Sequence, residues 1–205
     1  MNTDRHETAA AQTMSAATAD AIAADAARHE ARETNRLERT SDPLDDFRWP
    51  SADYTGTPYR VFTDPKIHER EMDRIFRGPV WNYLALEAEV PEKGSFKTAQ
   101  VGDVPIVVSR NLDGEVTAFV NRCAHRGATV VRLEQGIARK HACIYHQWGY
   151  DTSGSLIGVP YRRGLNGLGG YPSDFDMAKH GLQRLKVALY KGVIFGSFSE
   201  APTRP

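Results

Sequence analysis

Cysteine is scarce in this chain, with two residues in 205, too few for the disulfide framework that small secreted domains use in place of a large core. Charge of one sign is lacking too. Lys plus Arg and Asp plus Glu both total 26, and nothing in that balance suggests nucleic acid or an anionic membrane as partner, since each needs a basic face. No run approaches the roughly 18 consecutive apolar residues of a membrane-spanning helix, so no span is expected. The N-terminus has no apolar segment behind its charges, which argues against a secretory signal, and its acids argue against an organellar transit peptide. The cytoplasm is the expected compartment. What is present, 40% hydrophobic and 25% charged residues, is the balance of an ordinary globular protein of one or two domains.

Large aliphatic side chains are missing from the start of the chain. Before Leu37 there are only Met1, Met14 and Ile22. Residues 1–45 are rich in alanine and therefore have helix propensity, but a helix without an apolar stripe has nothing to pack against and is marginal in water. A disordered or loosely helical extension is expected there, followed by a connecting segment over 46–80. Within it a helix is predicted over 64–77, with Asp64 as N-cap, Pro65 in the first turn, Gly78 as stop, and Met72, Ile75 and Phe76 as its apolar face.

From Trp81 onward the apolar period becomes two. Strands are predicted at 81–87, 95–100, 104–110, 115–121, 155–159, 182–189 and 193–198. Hairpin turns fall at Asp113-Gly114, Ser153-Gly154 and Lys191-Gly192. Short strands with regular turns and no intervening helices imply a mainly β domain over 81–200, a small antiparallel sandwich or barrel. The glycine-rich stretch 164–174 is no phosphate loop, because neither a Lys-Ser/Thr pair nor a strand–helix context surrounds it.

The two cysteines stand beside histidines. One pair reads Cys123-Ala-His125-Arg126-Gly127; the other reads Cys143-Ile-Tyr145-His146-Gln147-Trp148. Each loop offers a thiolate and an imidazole, and two such loops brought together by a sheet make a four-donor site. Two thiolates and two imidazoles can hold one tetrahedral zinc ion, or a pair of bridged irons with both Cys on one iron and both His on the other. Zinc sites usually pair Cys with Cys and His with His along the chain, whereas here each loop mixes them. His141 reads as a solvated loop residue, and Tyr145 and Trp148 as core aromatics. His6, His29, His68 and His180 have no ligand-like spacing.

The flanks add a resemblance. Cys-x-His-Arg-Gly followed by Cys-x-Tyr-His-x-Trp resembles the Rieske domain of the large (α) subunit of aromatic-ring-hydroxylating dioxygenases, in particular the anthranilate, salicylate and benzoate branch. So do the helix at 64–77, Leu86–Pro91, Gly158-Val159-Pro160-Tyr161 and His180–Val187. The resemblance covers the chain from about residue 47, and only the family's N-terminal half. It implies a [2Fe–2S] cluster ligated by Cys123, His125, Cys143 and His146, with Gly158-Val159-Pro160 as a third loop shielding it. It also implies a ferredoxin or reductase as electron donor, and an oxygenase catalytic domain or β subunit as partner. In the family a mononuclear Fe(II) is held by two His and one carboxylate. After His146 this sequence has one histidine, His180, so that triad cannot be assembled from these residues, and the catalytic domain is expected to be absent. A stand-alone Rieske ferredoxin-like carrier and a zinc-stapled interaction module are the alternative readings.

Overall fold

The computed structural model describes residues 48–49, 55–166 and 168–203; the extension expected over 1–45, with His6 and His29, lies outside them. The chain divides into a unit ending at Thr57 and a unit Pro58–Pro205, and the fold below is that of the second.

The helical part begins with a single turn, α1 (Arg60–Thr63), and continues as α2 (Pro65–Glu71). Asp64 is the N-cap, as the sequence implies: its carboxylate accepts the Lys66 amide at 2.8 Å, which leaves one orphan helix donor fewer. Arg60 Nε donates to the same carboxylate at 2.6 Å. These two bonds, the arginine first, hold its pKa below the ordinary carboxylate value. The predicted single helix does not run on as an α-helix. Residues Met72–Phe76 form a π-helical turn, closed by Arg77 N–H on the Met72 carbonyl at 2.8 Å. The wider turn re-phases the side chains. Met72 is buried and Phe76 packs on the core, but Ile75 is left 51% exposed, which corrects the expected apolar face.

The predicted strands are found as β1 (Asn82–Leu86), β2 (Ser95–Val101), β3 (Val104–Arg110), β4 (Val116–Val120), β8 (Leu156–Gly158), β9 (Arg184–Tyr190) and β10 (Val193–Ser197). Three short strands carry no legible period: β5 (Gln135–Ile137), β6 (His141–Ala142) and β7 (Gly149–Tyr150). All pairings are antiparallel. Seven strands form one sheet in the order β1-β10-β9-β4-β3-β2-β5, and three form another in the order β6-β7-β8. The large sheet curls, bringing β1 against β2.

All three expected hairpin turns are present. At the first, Asn111 Oδ1 accepts the amides of Asp113, Gly114 and Glu115. At the second, Asp151 Oδ1 accepts those of Ser153 and Ser155. Both side chains replace missing ladder partners, the ordinary reason Asx residues favour turns.

Two cores lie on opposite faces of β3 and β4. Ile106, Val108, Ala118 and Val120 point into the curl, with Leu84, Val90, Leu185 and Ile194. Val107 and Phe119, one position out of phase, point the other way, to Cys123, Cys143, Trp148, Tyr150, Leu156 and Leu182. Strands covered on both faces read as continuous apolar runs, as Pro105–Val108 does. The second core places both cysteine loops against the sheet.

Candidate metal centre

The first loop leaves β4 at Asn121 and the second lies between β6 and β7. The two are built on one hydrogen-bond ring. In the first, the Cys123 amide donates to the Ala128 carbonyl at 2.8 Å and the Gly127 amide donates to the Cys123 carbonyl at 2.8 Å. In the second, the Cys143 amide donates to the Trp148 carbonyl at 2.9 Å and the Gln147 amide donates to the Cys143 carbonyl at 2.9 Å. Each ring needs a left-handed residue four positions after the cysteine: Gly127 (φ 71°) and Gln147 (φ 59°). A Cβ on Gly127 would meet nothing within 4 Å, so its role is conformational rather than spatial. Gly127→Ala is expected to cost about 1–2 kcal/mol from the left-handed backbone alone; chemical denaturation of the metal-free protein checks it. The repeated ring was missed in the sequence because Gln147 stands where the first loop has glycine.

The first loop is closed by Asn121, a residue the sequence reading passed over. Its Oδ1 accepts the amides of Val130 (3.1 Å) and Val131 (2.8 Å), and its Nδ2 donates to the Val131 carbonyl at 2.7 Å. All of these groups are buried.

The thiols of Cys123 and Cys143 are free and buried. His125 and His146 are partly exposed, with ring centroids 4.6 Å apart at 70°. The sulfurs thus lie inside and the imidazoles toward solvent. His125 Nδ1 is fully buried without a hydrogen-bond partner. A buried orphan ring nitrogen is costly unless something binds it. Burial lowers the His125 pKa, and His146 and Arg126 push the same way, favouring the neutral imidazole that metals take. Among the described residues, no group of three or more His, Cys, Asp or Glu side chains is placed to hold a single ion; the donors come two to a loop.

Tyr150 is wholly buried and lies beside the first cysteine. Its hydroxyl accepts the Ala124 amide at 3.1 Å and sits 3.2 Å from Cys123 Sγ. Either atom can donate in that contact; once Cys123 is a thiolate it has no proton to give, and the hydroxyl must be the donor. Burial, then the contact with Cys123, raises the phenol pKa and keeps the hydroxyl proton on the oxygen.

Two expectations about side chains fail. His141 is not a solvated loop residue: it is 6% exposed, packed edge-on to Phe96 at 5.3 Å, with Nε2 unpartnered. Burial lowers its pKa. The reason is strand alternation: in β6 His141 faces inward and Ala142 outward, and Cys143 just past the strand is buried again, although the local sequence is polar. Tyr145 is not a core aromatic but 59% exposed, lying against His146 at 3.9 Å. Trp148 is buried as expected. His180, to which the sequence assigned nothing, packs on Trp148 at 6.0 Å and Phe175 at 4.5 Å.

The chain is similar to known proteins over this region. The Rieske [2Fe-2S] domain family matches residues 80–172. The chain is 51% identical over 172 residues to the anthranilate 1,2-dioxygenase large subunit of Burkholderia cepacia, covering 80% of this chain and 41% of that protein. It is 45% identical over 154 residues to the alpha 2 subunit of the terephthalate 1,2-dioxygenase terminal oxygenase component of Comamonas sp., covering 75% and 37%. Among solved structures, naphthalene 1,2-dioxygenase from Rhodococcus sp. superposes with a TM-score of 0.65 at 34% identity, over 74% of this chain and 33% of that one. The chain thus spans about two fifths of the length of the curated relatives it matches. No described helix is long and apolar enough to cross a membrane. Residues 80–172 are a Rieske [2Fe–2S] domain, similar to that of the alpha subunits of aromatic-ring-hydroxylating dioxygenases.

Proposed function

We propose that Cys123 and Cys143 hold one iron of the [2Fe–2S] cluster and His125 and His146 the other, and that this chain relays single electrons from a ferredoxin or reductase toward a non-haem iron of an oxygenase catalytic domain. The observations carrying the assignment are the orphaned, buried Nδ1 of His125 and the two free, buried thiols. With one thiolate and one imidazole from each loop, the two loops together would give each iron the two protein ligands it takes. When bound, the cluster supplies a one-electron couple whose potential, with two neutral imidazoles in place of thiolates, lies at roughly −150 to +300 mV. The protein excludes water from the sulfur side, where Cys123 and Cys143 are 5% and 1% exposed. It leaves the imidazole edges toward solvent as the short way in and out for an electron. Val159 of the third loop packs against the same core and adds cover. Two thiols kept free support a cytoplasmic setting, and an aromatic acid as the substrate class of the whole oxygenase is supported by the names of the relatives.

Purification under nitrogen tests the assignment. The expected product is red-brown, with two irons and two acid-labile sulfides per chain, and takes up one electron on reduction. A colourless folded chain with one zinc and no sulfide would establish the zinc module instead. Full reduction and reoxidation by a partner without any oxygenase component binding would favour the stand-alone carrier.

Tyr150 tunes that couple in this reading. An O–H···S bond to a thiolate ligand stabilises the electron-richer, reduced state. Tyr150→Phe is therefore expected to lower the midpoint potential. If the bond contributes about 1.4 kcal/mol more to the reduced form, the fall is ~60 mV, read by spectroelectrochemistry. An unchanged potential would show that the hydroxyl proton does not reach the sulfur.

A further inference from the structure

A histidine that ligates a metal is ordinarily oriented by a hydrogen bond from its other ring nitrogen to a carboxylate, carbonyl or water. Among the described residues His125 makes no hydrogen bond to protein through either nitrogen, and Nδ1 is buried without a partner. The protein contact that bears on the plane of its ring is aromatic instead. The indole of Trp148 lies flat on it, with centroids 4.9 Å apart and planes 6° from parallel. The other aromatic contacts around this pair are steep. His146 meets His125 at 70°, while Tyr171, Phe175 and His180 meet the indole at 61°, 74° and 76°. Trp148 is itself enclosed: it is 3% exposed, its carbonyl accepts the Cys143 amide, and Phe175 and His180 behind it pack on one another at 4.5 Å. His180 is anchored in turn by Nδ1 at 2.8 Å from the Asp176 carbonyl.

We propose that Trp148 is a positioning residue for His125, its stacked indole setting the imidazole plane that a hydrogen bond would otherwise set, with Tyr171, Phe175 and His180 bracing the indole. The two imidazoles are then held unequally. His125 lies on a buried wall, whereas His146 has the exposed Tyr145, tilted 34° to it, and His125 itself, at 70°, against its ring. An aromatic face fixes a ring's plane without competing for its nitrogens, so both nitrogens of His125 stay available, one to the metal and one to solvent or a docked acceptor. The proposal rests on His125 being a cluster ligand, but the stacking can be tested apart from it.

The experiment compares Trp148→Leu and Trp148→Phe with the wild type, each with and without the cluster. In the metal-free chains, ring-proton NMR of selectively labelled histidine reads the stack: the indole ring current should move the His125 signals upfield. That displacement should be lost in Trp148→Leu and largely retained in Trp148→Phe. In the loaded chains, Trp148→Leu should keep two irons and two sulfides yet show broadened EPR features and a displaced midpoint potential, with Trp148→Phe close to wild type. Wild-type EPR and potential in Trp148→Leu would overturn the proposal, as would His125 ring shifts indifferent to the substitution. Loss of iron from both variants with native circular dichroism would also overturn it, because a stacked phenyl ring would then not suffice. A wild-type chain without iron or sulfide would sink the ligand assignment instead, leaving the metal-free NMR comparison to decide the stacking.

Discussion

His125→Ala and His146→Cys are expected to abolish the Rieske visible and EPR spectrum. On the proposed ligation, His125→Ala removes one of the two neutral donors, and the two cysteines and His146 would not hold the cluster. Complete loss of iron and labile sulfide is the expected result, with the fold of the large sheet retained because its core, around Ile106, Val108 and Ile194, is separate from the cysteine loops. His146→Cys replaces a neutral donor by an anion. Any cluster that assembles would carry three thiolates, and its potential should fall from the Rieske range toward the roughly −400 mV of an all-cysteine ferredoxin. Either variant retaining the parent spectrum and potential would remove that histidine from the site.

Asn121→Ala should be the most damaging substitution that touches no ligand. The side chain satisfies three buried backbone groups: the amides of Val130 and Val131 and the carbonyl of Val131. Each left unsatisfied costs about 1–3 kcal/mol, so a loss of about 3 kcal/mol or more is expected. That is a large part of the ~5–15 kcal/mol by which domains of this size are stable. The loss is also directed. Asn121 closes the loop bearing Cys123 and His125, so cluster retention should fall before global unfolding, as expected when one cooperative segment opens locally. Urea titration of the metal-free chain gives the first effect, and iron release to a chelator gives the second. An Asn121→Ala chain as stable as the parent would mean that water takes over these bonds and that the loop does not depend on the side chain.

The chemistry of this protein was legible in its sequence because it depends on residue type and spacing. Two cysteines and two histidines, mixed within each short loop, restrict the metal chemistry to a few choices, and the flanks of both loops restrict it further. The longer strands and all three hairpins were legible for the same reason: a period of two and the turn preferences of Asp-Gly, Ser-Gly and Lys-Gly are local properties. Strands β5, β6 and β7 were not, since two or three residues cannot display a period; β8 is as short, but the Ser153-Gly154 turn before it marked it. The π turn at Met72–Phe76 was hidden because propensity says nothing of one extra residue in a helical turn, and Ile75 was assigned to the wrong face in consequence.

The tertiary structure alone decided how the four donors are held. Asn121 is an ordinary asparagine until the chain brings Val130 and Val131 beside it. Tyr150 is one tyrosine of eight until β7 sets its hydroxyl against Cys123. The polar run around His141 conceals an inward-facing position that only pairing with β7 fixes, and Trp148 finds His125 only when the two loops meet. Residue type fixes which atoms can bind or donate; which groups meet, and which lose water, depends on the packing of segments distant in sequence.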